Sequence, residues 1–150
     1  MADIKERSKS TFNQQADTYD EDIHGQHART LYPVLLSKLA HIPFQRALDL
    51  GCGTGEMMKM LLQSDDQREL YGIDLSEKML SVAEGKLSGK VRLVLGDSEH
   101  LPFADNFFDV VYCNDSFHHY PAPENVIREV QRVLKPGGTF LIGDCWQPLI

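Results

Sequence analysis

The chain has 150 residues, enough for one hydrophobic core and one domain. Its 42% hydrophobic and 25% charged residues are a globular balance that excludes general disorder, and no apolar run approaches the ~20 residues that span a bilayer. A formal net charge of -7 makes it a poor partner for a phosphate backbone, so no nucleic-acid partner is expected.

The first ten residues carry charges with no apolar stretch behind them, which is not the pattern of a secretory signal. Residues 1–23 are mostly polar, with Phe12 and Tyr19 standing out, and predict either a loose tail or a short helical cap. Between His24 and His41, Leu31, Tyr32, Leu35, Leu36 and Leu39 recur at helical spacing, and Pro43 marks a stop. A strand is expected at Arg46–Leu50, a helix through Met57, Met58, Leu61 and Leu62, and a second strand at Glu69–Asp74. Ser76 is placed to cap a helix carrying Met79, Leu80, Ala83 and Leu87. Strands follow at Val91–Leu95 and Phe107–Cys113, then a helix through Val126, Ile127, Val130, Val133 and Leu134. Lys135-Pro136-Gly137-Gly138 reads as a turn before a fifth strand, Thr139–Gly143.

Strands alternating with helices predict an α/β fold, a doubly wound and mostly parallel Rossmann-like sheet. We expect residues 1–44 to form a helical cap and residues 45–150 the α/β core, within one structural domain. Ligands of such sheets sit outside the carboxyl ends of the strands, so those ends carry the functional signal. The first ends in Gly51-Cys52-Gly53-Thr54-Gly55, where alternate glycines permit a tight turn and close approach of a ligand to the main chain. Asp74 ends the second strand, where a carboxylate can accept both hydroxyl hydrogens of a ribose; its plainer reading is a loop Asp capping the next helix. A dinucleotide site wants its third glycine one residue later, where this chain has Glu56, a poor neighbour for a pyrophosphate. Cys52, Cys113 and Cys145 form no paired framework and read as reduced thiols of a cytoplasmic protein.

The run Leu48-Asp49-Leu50-Gly51-Cys52-Gly53-Thr54-Gly55 resembles the first motif of class I S-adenosylmethionine-dependent methyltransferases. The resemblance continues through Gly72–Ser76, Gly96-Asp97-Ser98, Leu101-Pro102-Phe103, Phe107–Val111 and Leu134–Gly138, and covers about residues 10–145. Phe12–Asp20 is similar to the N-terminal pattern of the ubiquinone/menaquinone-biosynthesis-like group. The resemblance implies S-adenosylmethionine as cofactor and a small-molecule methyl acceptor. It places Gly51, Cys52 and Gly53 along the methionine part, with Asp49 orienting the loop near the ammonium. It gives the ribose to Asp74, adenine packing to Leu75 and Met79, and the adenine amino group to Asp97 beside Ser98. Asn114 would offer a backbone carbonyl to the ammonium, and Tyr19 would close over the methionine end. The acids at Asp49, Asp74 and Asp97 suit a net cationic cofactor.

A base is needed only if the acceptor loses a proton, and His118 and His119 are the residues placed for it; His119 is the one given a substrate-facing role. No carboxylate at a familiar ligand spacing supports a metal site at this His pair. The family's sheet usually has two further strands, which this chain does not supply. A fragment or degenerate relative that binds the cofactor without turnover is therefore the alternative to an active enzyme. An edge left bare at Thr139–Gly143 would favour a homodimer.

Overall fold

The computed structural model describes residues 2–144. In chain order it contains α1 (Ala2–Gln15), a 3-10 turn (Ile23–Gly25), α2 (Gln26–Leu39), β1 (Arg46–Leu50), α3 (Glu56–Ser64), β2 (Glu69–Asp74) and α4 (Glu77–Leu87). There follow β3 (Arg92–Leu95), β4 (Phe108–Asn114), a second 3-10 turn (Phe117–His119), α5 (Pro123–Val133) and β5 (Leu134–Gly143). The polar N-terminal segment is thus a helix, not a loose tail. Cys145 and the tail beyond Asp144 lie outside the described residues.

The strands form one sheet in the order β3-β2-β1-β4-β5, and every pairing is parallel. β1 lies between β2 and β4, so the winding reverses there, and the crevice beside its carboxyl end is the switch point where such sheets bind ligands. Both faces are covered, which is why central strands read as continuous apolar runs rather than alternating ones. Ala47, Leu70, Val110 and Tyr112 pack with residues of α2, α3 and α4 on one face. Leu48, Leu50, Ile73, Val111 and Cys113 pack with Val126, Val130 and Val133 of α5 on the other. The four aromatics Tyr71, Phe103, Phe107 and Phe108 close that second core edge to face, a geometry that adds ~0.5–1.5 kcal/mol per pair beyond burial.

Local chemistry sets the element ends. The Ser76 hydroxyl accepts from the Met79 N–H at 3.2 Å and caps α4, as its position predicted. Pro123 opens α5, where its missing N–H costs nothing. The expected turn at Lys135–Gly138 is a bulge inside β5: Phe108 pairs with Leu134, but Val110 pairs with Thr139. The intervening residues loop out, with Gly137 at φ +82°. Ala28, Tyr32, Leu35 and Leu39 of α2 join the same core as α3, so the segment before β1 is built into the domain's packing.

Candidate functional site

The carboxyl ends of β1, β2, β3 and β4 open into one cavity roofed by α1. Among its lining residues are Tyr19, Asp49, Gly51, Cys52, Gly53, Asp74, Leu75, Met79, Asp97, Ser98, Asn114 and His119, but not His118, the other histidine singled out from the sequence.

The glycine loop is held by β2. The Gly51 and Cys52 N–H groups both donate to the Ile73 carbonyl, at 2.9 and 3.0 Å. Gly51, Gly53 and Gly55 all have positive φ, but they differ in what surrounds them. A Cβ at Gly51 would lie 2.5 Å from the Ser116 hydroxyl oxygen, so glycine there is demanded by the protein's own packing rather than by a ligand. Gly55 is similar, pressed against Leu87 and Ala83 of α4. A Cβ at Gly53 would meet nothing within 4 Å; it would point into open space. Both Gly51 and Gly53 line the cavity, but a side chain at Gly51 would meet Ser116 whereas one at Gly53 would enter open space.

Asp74 joins the two motifs. Its Oδ2 accepts from the Gly53 N–H at 2.8 Å and its Oδ1 from the Ser76 N–H at 2.9 Å. One carboxylate thus ties the glycine loop to the turn that opens α4. Burial pushes its pKa up, and the N–H groups of Ser76, Gly53 and Leu75 oppose the shift. Asp49, 3% exposed, is pushed up to about 8 by burial; the neighbouring Tyr112 hydroxyl pulls the other way and Asp74 adds to the rise. Two carboxyls with raised pKa side by side form a site that gains from a cation.

At the β4 end the Asn114 amide donates to the Ala28 carbonyl at 3.2 Å, while its Oδ1 is buried without a hydrogen-bond partner. That orphaned acceptor is a second feature that fits a cationic ligand group. The Ser98 hydroxyl lies 3.2 Å from that of Tyr120, so both stand in the wall as a pair. Met79 is 1% exposed and serves the core as well as the cavity.

Several participants were not legible in the sequence. Lys5 of α1 reaches Asp97 at 2.6 Å and Glu99 at 2.5 Å. Burial works to raise the Asp97 pKa, but the Lys5 ammonium and the Glu99 N–H outweigh it and hold the carboxyl below its ordinary value. Asp20 accepts from the Thr54 hydroxyl at 2.5 Å and pairs with Lys86 at 2.6 Å, and Lys86 also holds Glu56 at 2.7 Å. The N-terminal segment is thereby tied to the glycine loop. Glu56, the first residue of α3, stands where a pyrophosphate would sit on the helix N-terminus.

The fold also gathers what sequence spacing did not. Asp115, His118 and Asp144 bring ligand-type atoms within 4.8 Å of one another. Asp144 already serves His118, accepting from its backbone N–H at 2.9 Å and lying 2.5 Å from its Nδ1. His118 and His119 are both exposed, and their rings lie 4.0 Å apart; partial burial and the adjacent His118 lower the His119 pKa.

The model of the family described as "Methyltransferase domain" matches residues 48–142. The chain is 38% identical over 111 residues to demethylmenaquinone methyltransferase of Geobacillus kaustophilus, covering 71% of this chain and 47% of that protein. It is 38% identical over 104 residues to 27-O-demethylrifamycin SV methyltransferase of Amycolatopsis mediterranei, covering 66% of this chain and 38% of that protein. The chain thus spans about half, or less, of the length of these curated relatives. Among solved structures it superposes on the PH0226 protein of Pyrococcus horikoshii with a TM-score of 0.70 and 31% identity, over 85% of this chain and 61% of that one. YcgJ of Bacillus subtilis matches with a TM-score of 0.66 and 33% identity, over 74% and 49%.

Proposed function

Because this chain belongs to the methyltransferase domain family, we propose that it binds S-adenosylmethionine at the strand ends and transfers the methyl group to a small molecule. The observation that carries this reading is the pair of buried, pKa-raised carboxyls at Asp49 and Asp74 beside the unpartnered Asn114 Oδ1. That set favours a ligand with an ammonium and a sulfonium. The Glu56 carboxylate in the same wall disfavours a dinucleotide.

Asp74 would take the ribose hydroxyls with the lone pairs its backbone donors leave free. Leu75 and Met79 would flank the adenine, and Asp97 with Ser98 would meet its amino edge. Gly53 would let the methionine portion lie against the main chain beside Gly51 and Cys52. Asp49 and Asn114 would face the ammonium, and Tyr19 would close that end. Burial, then the nearby Asp115, Asp74 and Asp20, push the Tyr19 pKa up to about 12, so its hydroxyl stays neutral.

The cofactor supplies an activated methyl carbon. What these residues contribute is alignment for an in-line displacement, and exclusion of water by the α1 roof. The acceptors named for the similar proteins include demethylmenaquinone and 27-O-demethylrifamycin SV. A small-molecule acceptor is the reading they support here, in a protein without a membrane-crossing helix among its described residues. The test is transfer of a labelled methyl group to a metabolite panel. Transfer to at least one small molecule is expected, and binding without any transfer would favour a non-catalytic relative.

A further inference from the structure

β4 and β5 are neighbouring parallel strands, and their register pairs Asn114 with Gly143. The ladder runs one step further, since the Asp115 N–H donates to the Gly143 carbonyl at 2.7 Å. The next residues along the two chains are Asp115 and Asp144, so two carboxylates meet at the same end of adjacent strands. Like charges so placed repel unless a cation stands between them. The second 3-10 turn, Phe117–His119, brings an imidazole back to the pair. His118 Nδ1 lies 2.5 Å from Asp144 Oδ1 and 3.9 Å from Asp115 Oδ1. Among the described residues, these three side chains form a group whose ligand-type atoms all lie within 4.8 Å of one another. From this juxtaposition we infer that Asp115, His118 and Asp144 bind one divalent transition-metal ion of the zinc class, which clips the loop after β4 to the end of β5. The inference stands independently of the cofactor reading above.

A second observation points to a ligand. Asp115 Oδ1 is buried and accepts no hydrogen bond, although His27 Nδ1 stands 2.7 Å from it. A buried carboxylate oxygen left in that state is costly, and a bound cation satisfies it. The His118 side chain, 37% exposed, opens the group to solvent and gives an ion its way in.

The donor set selects the ion. Calcium and magnesium take six or more ligands, nearly all oxygen, and this group offers two carboxylates. An imidazole nitrogen beside carboxylate oxygens suits zinc and its first-row neighbours. Around a tetrahedral zinc, with bonds of ~2.0–2.2 Å, ligand atoms lie ~3.4 Å apart. The two spacings from His118 Nδ1, 2.5 and 3.9 Å, bracket that value. Three protein ligands leave the fourth position to water. The ligating nitrogen must give up the proton it shares with Asp144, which passes to Nε2 or to water.

The test uses an untagged sample of the whole chain, stripped of metal by chelator. Zn2+ titrated by calorimetry should bind saturably at one ion per chain and raise the melting temperature. In the same protein Co2+ should shift the imidazole NMR signals of His118 and leave those of His41, past the far end of α2, in place. H118Q and D144N should each weaken Zn2+ binding about tenfold or more, and H41Q should bind as the parent does. The cobalt shift is read on the parent protein and holds even where a variant fails to fold. No saturable binding, or many ions per chain without a plateau, is an adventitious ion only and overturns the site. Saturable binding that leaves the His118 signals unmoved, or that is unchanged in a folded H118Q, puts the ion elsewhere and overturns the assignment.

Discussion

Ser116 fills the space beside Gly51: a Cβ added to that glycine would lie 2.5 Å from the Ser116 hydroxyl oxygen, which itself donates to the Leu50 carbonyl at 3.1 Å. Two glycines of one motif therefore separate into two tests. Gly51→Val should fail to fold or melt far below the parent. Gly53→Ala should fold, with ~1–2 kcal/mol lost to its left-handed backbone, and should bind S-adenosylhomocysteine more weakly. Thermal melts and calorimetric titration check both. A well-folded Gly53→Ala with parental affinity would mean that no ligand approaches this loop.

Asp74 carries two tasks, and its replacement should show both. Asp74→Asn is expected to weaken S-adenosylhomocysteine binding by about 1.5–3 kcal/mol, the range for hydrogen bonds to a charged group. Its melting temperature should also fall, since Gly53 and Ser76 donate to the same carboxylate. Parental affinity in a destabilised protein would leave Asp74 only its structural task.

The Asp49 pKa, raised to about 8, fixes a sign. The folded protein holds a proton on Asp49 that the unfolded chain has already lost, so stability of the ligand-free protein falls as pH rises from about 4 to 8. A cationic ligand favours the ionised form, so its binding should expel that proton and tighten over the same range. Melts and titrations across this window check the slope, and Asp49→Asn should flatten it. A slope of opposite sign would exclude a buried, protonated Asp49.

β5 is the outermost strand on its side of the sheet, and Ile142 on it is 44% exposed. Phe140 packs on Phe117, and Leu141 joins the α2 side of the core, so much of the strand's apolar surface is already covered. Among the described residues no strand pairs with the outer edge of β5, and a concentration-dependent dimer of the 150-residue chain is the outcome that pairing through this edge predicts in light scattering. Ile142→Lys should weaken it. A monomer at all concentrations would show that the edge is tolerated bare.

The strand ends were legible because their signal is local. Three glycines between an apolar run and an amphipathic helix, with Asp74 closing the next strand, mark a ligand crevice without any knowledge of the fold. The three central strands were legible for the same reason, since parallel strands buried on both faces are apolar throughout, and the edge strands β3 and β5 were legible as short apolar runs although they are not buried. Lys5 was not legible: it meets Asp97 from 92 residues away, and only the path of α1 brings it there. The same holds for Asp20 on Thr54 and for His27 beside Asp115. The crowding at Gly51 was not legible, because it comes from Ser116 after β4. The bulge at Lys135–Gly138 was read as a free turn because Leu134 pairs with Phe108 before the residues loop out.

The most direct test of the central claim is calorimetric titration of this chain with S-adenosylhomocysteine and, separately, with NAD. The paired acids at Asp49 and Asp74, with Glu56 at the start of α3, predict saturable one-to-one binding of S-adenosylhomocysteine and none of NAD. Binding of NAD alone would contradict the account.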